Sequence, residues 1–460
     1  MALTKVSGEV ITRPLVLTGN ASVSGIMTVG IGSTTTTIDG SQDFPTIRPT
    51  LDLNFAATKT LDRRITFTRD SLGTYTDEFG IVKYAPNNVP RFDHDPDTGE
   101  SLGLLVEESR TNLLPYSVDL TQAVWTKSYL TVVFSSTEVA PDGTTGNVII
   151  TTANTDNAGH YSYYTTQNTG RICTTSAWFK NQSTTTYFPQ LRVFGVGNDQ
   201  AYATFNLSGN GSIPESGGAI YASSSITPYP NGWYRCTMTF DTTAAGNTYL
   251  GGYVISNSTS SGEIPSYAGS ASTADGFLVW GFQNETGSFA TSYIPTSGST
   301  VTRAADLASI TGTNFTDFYN SSESTIFFES GIAPVNNSKY FTFYGSDSGG
   351  TELIESAAVS GPGANIFTYA DSTVYSNISV TDASATKLKF AAGIKLNDVN
   401  LAVNGTLGTT DDSATNPDAI NKLIIGNYSS GNYYINTTIK RLTYYNKRLT
   451  NAQLQSLTRQ

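Results

Sequence analysis

From residue 118 onward one device recurs along the chain: a short run in which apolar and polar side chains alternate, closed by a cluster of Gly, Asn, Asp, Ser or Pro. LTVVFSST, GNVIITTA, ICTTSAWFK, AYATFNL, GWYRCTMTF and GFLVWGFQ are examples before residue 305, with turn clusters such as Pro141-Asp142-Gly143 and Asn210-Gly211 between runs. Alternation at period two places every second side chain on one face of an extended chain. A sheet that is apolar on one face must bury that face against another layer, so many short strands at near-regular spacing predict a sandwich or jelly roll. The pattern restarts after residue 306 with STIFFESG, KYFTFYG, TELIESAAV, NIFTYAD, TKLKFAAGI and NKLIIGNY. Asn404-Gly405, flanked by LAV and TLG, is the strongest hairpin signal, since both residues tolerate the positive φ of a type I′ turn. After Leu442 and Tyr444, Thr450 reads as the N-cap of one short helix with Leu454 and Leu457 facing inward. The expected fold class is all-β: two consecutive antiparallel β-sandwiches, over residues 46–305 and 306–460, preceded by a short N-terminal β-rich segment over 1–45.

That first segment, GEVITRPLVLTGNASVSGIMTVGIGSTTTTIDGS, has β-branched runs too short to build a private core. Val23, Ile26, Val29 and Ile31 can bury only against copies of themselves or another protein; otherwise the segment is a disordered arm. Residues 46–117 alternate as well, with Ile65, Phe67 and Tyr75 and a turn at Asp77–Gly80, and are expected to supply the first strands of the adjoining sandwich.

Charge excludes one class of partner. Charged residues are 14% of the chain, against about 25% in ordinary soluble domains, and the net charge of −11 leaves no part of the chain basic. No nucleic-acid partner is expected, because nothing supplies a positive stripe for phosphates. No stretch approaches the ~18 apolar residues of a membrane helix, and MALTKVSGEVITRPL has no apolar signal region, so no membrane insertion or visible export is expected.

The search for chemistry returns little. His94 and His160 are the two imidazoles, Cys173 and Cys236 sit in separate strands, and no zinc ligand set, G-x-S-x-G, H-E-x-x-H or P-loop is present. The expectation is therefore no enzyme, no catalytic residue, no metal and no cofactor. The run Asp93 to Glu100 alternates carboxylates as calcium loops do, but its glycine falls at the seventh place and Leu104 at the twelfth, so it reads as a solvated turn. Glu107 and Glu108 are adjacent and in a strand would face opposite sides, unlike the facing carboxylates of a glycoside hydrolase. Trp178, Trp233 and Trp280 lie in alternating strands and read as core, while Trp125 stays open between core and sugar stacking. The best ligand-binding candidates are loop residues of the last domain: Asp347 in YGSDSGGT, and Tyr428, Asn432 and Tyr433 in GNYSSGNYY, which combine hydrogen-bonding groups with rings.

Two strings carry a resemblance. FTRDSLGTYTDEFGIVKYAPNNVPRFDHDPDTGESLGLLVEESRTNLLPYS (Phe67 to Ser117) and GFQNETGSFATSYIPTSGSTVTRAAD (Gly281 to Asp306) together resemble a module recurrent in phage virion surface proteins. Residues 1–45 resemble the N-terminal shafts or anchors of phage fibres, where three chains commonly wind together. TSAWFK with NGWYRCTMTF resembles the central strands of carbohydrate-binding-module-like jelly rolls, and the closing strand and helix resemble those of laminin-G or concanavalin A-like domains. The resemblance implies a tail fibre or receptor-binding adhesin of a phage particle, assembled in the host cytoplasm as a homotrimer. It would attach to other virion proteins through residues 1–45 and touch host surface polysaccharide through C-terminal loops. A capsid or tail decoration protein is the alternative, and a polysaccharide depolymerase a more remote one. A reducing cytoplasm argues against a Cys173–Cys236 bridge.

Overall fold

The computed structural model describes residues 26–31, 34–39 and 47–459 except 168–169, 183–187, 196–199, 244–247, 251–253, 257–262, 273–275, 332–337, 347–350, 360–362, 383–386 and 429–432. The chain divides into two units, Met1–Thr46 and Ile47–Gln460. In the first, Ile26–Ile31 and Thr34–Asp39 form an antiparallel hairpin, in register from Ile31 opposite Thr34 to Ile26 opposite Asp39.

The second unit is all-β, with two antiparallel sandwiches. In the first sandwich one sheet runs Leu130–Ser135, Val148–Ala153, Phe277–Thr286, Ile172–Asn181, Trp233–Asp241, Tyr221–Tyr229. The facing sheet is centred on Gln190–Gly195 and Gln200–Asn206. Alternation sorts the side chains: Phe179, Cys236, Met238, Phe240 and Val279 meet Leu191, Val193, Ala203 and Phe205 in the interior, all buried. Cys173 and Cys236 stand in paired strands but oppose Phe240 and Ala177 respectively, and both thiols are free. Trp125 is buried in this same interior. Trp178, Trp233 and Trp280 are buried too, but on the other face of the sheet, in a cluster with Val82 and Tyr293.

In the second sandwich, Phe341, Phe343, Leu423 and Ile425 of one sheet pack on Ile326, Phe328, Phe390 and Leu442 of the other. Asn404 and Gly405 close a two-residue hairpin between Asn400–Val403 and Thr406–Leu407, at φ 47° and 85°. The helix Asn451–Thr458 starts at the Thr450 cap with a full capping box, and buries Leu454 with Leu457 packed beside it.

Residues 46–117 depart from expectation. Leu51–Asn54, Thr66–Thr68, Phe92–His94 and Ser101–Val106 do not open the sandwich adjoining them in sequence but complete the last one, whereas the hairpin of Gly73–Thr76 with Val82–Ala85 brings Val82 onto the first sandwich and Leu114 enters its core. Leu51–Asn54 and Ser101–Val106 lie end to end along one edge of the long strand Thr437–Tyr445, Leu51 opposite Tyr444 and Val106 opposite Thr437. Thr66–Thr68 pairs with Leu307–Thr311 on the other sheet. The cause is burial: Leu51, Leu53, Phe55, Leu104 and Val106 are all at most 2% exposed inside the C-terminal core. The expected 46–305 grouping therefore gives way here to a sandwich built from both ends of the unit, with the first sandwich inserted between. Gly103 permits the joining, since at φ +91° a Cβ there would stand 2.1 Å from the Ile439 carbonyl oxygen.

Candidate functional site

The two strings with the phage-module resemblance meet in one place. Strand Arg110–Asn112 pairs with Val301–Arg303, and the Asn112 amide donates to the Phe282 and Ile294 carbonyls at 3.0 and 2.9 Å. Beside this pairing lies a buried ionic joint. Arg69 Nη1 is 3.2 Å from Asp306 Oδ1, Arg91 Nη2 holds Asp306 Oδ2, and Arg91 Nη1 is 2.7 Å from Glu107 Oε2. Arg303 stands 3.5 Å from Glu107 and donates to the Glu108 carbonyl at 2.8 Å. These side chains are 0–5% exposed. Burial pushes the Glu107 carboxyl up, but Arg303, Arg91 and two bonds from Ser292 outweigh it and bring it down to about 2. Both Glu107 oxygens are thus committed, and Glu108 turns away to Arg110 at 2.6 Å. The joint binds segments of the chain to one another and has no free base to offer a substrate.

Other groups with chemical potential are also structural. Asp95 accepts from Asp97 N, Thr98 N and Thr98 Oγ1 at 2.8–3.1 Å, a self-satisfied turn. His160 places its ring nitrogens 2.6 and 2.8 Å from the Tyr129 and Tyr267 carbonyls, and His94 Nδ1 is 3.1 Å from that of Thr76. Among the described residues no three His, Cys, Asp or Glu side chains group as a metal site.

A groove of about 660 Å³ lies on the outer face of the second sandwich, across strands Lys339–Ser346, Thr351–Ala358 and Gly363–Ala370. Alternation builds it: Ile354 and Ile366 point into the core, so Glu355, Phe367 and Tyr369 point out. Tyr428 and Tyr433 form the opposite wall, their rings 6.4 Å apart and nearly perpendicular at 82°. The Tyr433 carbonyl accepts from Lys339 N at 2.8 Å, fixing that loop to the strand, while Tyr433 itself stays 57% exposed. Lys339 Nζ sits 2.7 Å from Glu355 Oε1, 5.7 Å from the Phe367 ring centre and 6.0 Å from that of Tyr428. Glu355 Oε2 is buried with no hydrogen-bond partner. Burial, then Glu355 and Tyr428, raises the Tyr369 phenol, which stays protonated and able to donate.

Of the four ligand-binding candidates from sequence, Tyr428 and Tyr433 face each other in this groove, and Asp347 and Asn432 lie outside the described residues. Lys339, Glu355, Phe367 and Tyr369 escaped sequence reading. Their signal was present in NIFTYAD, where Phe367 and Tyr369 share the face opposite Ile366. Rings, one unsatisfied carboxylate oxygen and a neutralised lysine suit a ligand with apolar faces and hydroxyl edges. Glu355 is the sole carboxylate among the described lining residues, and it is paired with a lysine, so the groove offers binding more readily than proton transfer.

No family model matches the chain, and no curated protein matches it. Among solved structures, the N-terminal CBM22-1–CBM22-2 tandem domain of Paenibacillus barcinonensis Xyn10C aligns at 10% identity over 72% of this chain and 95% of that one, TM-score 0.24. Domains LG4-5 of the mouse laminin alpha1 chain align at 11% identity over 64% and 85%, TM-score 0.21. A Trypanosoma rangeli sialidase in complex with the inhibitor DANA aligns at 10% identity over 67% and 60%, TM-score 0.25. Similarity this low carries nothing about what the present chain binds or does.

Proposed function

We propose that this chain is a surface-exposed structural protein of a phage particle, a tail fibre or receptor-binding adhesin, whose second sandwich holds host surface glycans in the Tyr428–Tyr433 groove. The groove is the observation that carries the reading: two facing tyrosines, Phe367 and Tyr369 surround a buried carboxylate oxygen that lacks a donor. A sugar ring supplies both an apolar face for the rings and hydroxyl donors for the oxygen. The joint formed by the two phage-like strings supports the virion part, because those strings then encode a rigid scaffold for outward-facing loops. On this reading residues 1–45 attach the protein to other virion components, three copies associate, and the action is adhesion without turnover.

The test is binding of the purified protein to polysaccharide extracted from candidate hosts. Tyr433→Ala is expected to weaken binding about tenfold, ~1.4 kcal/mol, with no reducing ends released on long incubation. An intact protein that binds no host polysaccharide or cell would refute the adhesin, and release of oligosaccharide would replace it with the depolymerase.

A further inference from the structure

A second cleft, of about 410 Å³, opens on the outer face of the first sandwich's tryptophan-bearing sheet, where strands Tyr221–Tyr229 and Trp233–Asp241 meet residues 74–76, Asp93 and the 288–293 loop. Its walls are rich in hydroxyls, with Ser223, Ser225 and Thr227 in one row, Thr237 opposite Ser225 on the next strand, and Tyr229 and Phe289 as rings. Three charged side chains line it: Glu107, already committed to Arg91 and Arg303 in the joint, and Asp93 and Arg235, which are of opposite sign. Asp93 sits at a bulge in Phe92–His94 and accepts from Thr76 N at 2.6 Å through Oδ1. The Arg235 guanidinium lies 4.6 Å above the Trp178 ring and donates from Nη2 to the Thr291 carbonyl at 2.6 Å, while its Nε is buried without a partner. Trp178 Nε1, on the same lining, is likewise unpartnered.

Among the described residues neither Asp93 nor Arg235 has an oppositely charged side chain within ion-pair distance. Their neighbours differ: Arg69, Arg91 and Arg303 are each within 4.0 Å of Asp306 or Glu107, and Arg110 pairs with Glu108. A narrow cleft makes an uncompensated ion costly; burial first, offset in part by the Thr76 bond, pushes the Asp93 carboxyl up to about 6. The molecule thus keeps one acceptor-only group, held by the Thr76 and His94 backbone, and one donor-only group, held by Thr291 and Ser176, facing a common space with neither charge neutralised by an ion pair and Arg235 Nε unpartnered.

We propose that this cleft is a second ligand site, for a neutral pyranose unit of a polysaccharide, with Asp93 accepting from ring hydroxyls and Arg235 Nε donating to a hydroxyl oxygen. Neutrality follows from the pair of signs. An anionic sugar would face Asp93 and a cationic one Arg235, whereas a hydroxyl donates to one and accepts from the other. The volume lies within the usual range of small-molecule sites, about 300–1,000 Å³, and the hydroxyl walls suit a ligand that carries hydroxyls around its rim. The site is independent of the tyrosine groove.

The experiment starts from a protein in which the groove is disabled by Tyr428→Ala with Tyr433→Ala. Maltotriose, cellotriose and triacetylchitotriose are titrated by ligand-observed NMR, with glucuronate and glucosamine as charged controls. At least one neutral trisaccharide is expected to bind. Asp93→Asn and Arg235→Gln, each with an unchanged melting curve, are expected to weaken it tenfold or more. Ser225→Trp, which fills the cleft from an exposed wall position and replaces neither ion, guards against loss through misfolding and is expected to abolish binding. The proposal is overturned if no neutral trisaccharide binds, if a charged control binds more tightly, or if the Ser225→Trp protein binds as its parent does.

Discussion

At the scale of single residues, the joint and the cleft set opposite pH dependences. Glu107 titrates at about 2 in the folded chain against 4.5 when free, so its stabilisation is complete above 4.5 and is lost as pH falls toward 2. Asp93 titrates at about 6 against 3.8, so the folded state holds a proton the unfolded state has shed, and stability falls as pH rises from 3.8 through 6. Each shift is on the order of 3 kcal/mol, so in urea-unfolding free energies Glu107 contributes a limb that rises with pH and Asp93 one that falls. Asp93→Asn is expected to shrink the falling limb selectively, and unchanged curves would show that Asp93 does not titrate this way. Asp306→Ala strips Arg69 and Arg91 of a shared partner at 0% exposure and should destabilise by about 3–5 kcal/mol in the same assay. None of this pairing was legible in sequence. Arg69 and Asp306 are 237 positions apart, and no periodicity reports on partners at that range.

At the scale of elements, short-range chemistry was well written in the chain. Asn404-Gly405 gives a two-residue hairpin because both residues stand at positive φ, and Gly405→Ala should cost about 1 kcal/mol in thermal unfolding. Thr450 accepts from Gln453 N while the Gln453 side chain accepts from Thr450 N, so Thr450→Ala should cost a further ~1 kcal/mol and fray the closing helix in hydrogen exchange. Alternation likewise predicted that Trp178, Trp233 and Trp280 are buried, but not on which face of the sheet. A period of two separates the faces without saying what will cover each, and here residues around Val82 and Tyr293 cover the tryptophan face. The tyrosine wall of the groove was visible because GNYSSGNYY is a loop, whereas its strand-borne wall looked like ordinary core alternation.

At the scale of the whole molecule, sequence order misled. The run 46–117 reads as the entrance to the first sandwich, yet Leu51–Asn54, Thr66–Thr68 and Ser101–Val106 join the two sheets built mainly from strands beyond residue 306. Strand pairing is non-local, and an edge strand with Leu51 and Leu53 can join any sheet that exposes an apolar rim. A fragment of 306–460 is therefore expected to be insoluble or molten by near-UV dichroism, because Thr437–Tyr445 would lose both partners on one edge; residues 47–460 should unfold cooperatively. A well-folded 306–460 fragment would show those edge strands to be dispensable. The same arrangement reaches back to synthesis. Thr50 donates to Tyr444, 394 positions later, so at ~5–20 residues per second the ribosome needs about 20–80 s to deliver the partner that the opening strands require. Through that interval the middle sandwich can form on the nascent chain while Leu51 and Leu53 wait uncovered, a window in which a holding chaperone would have its strongest effect on yield.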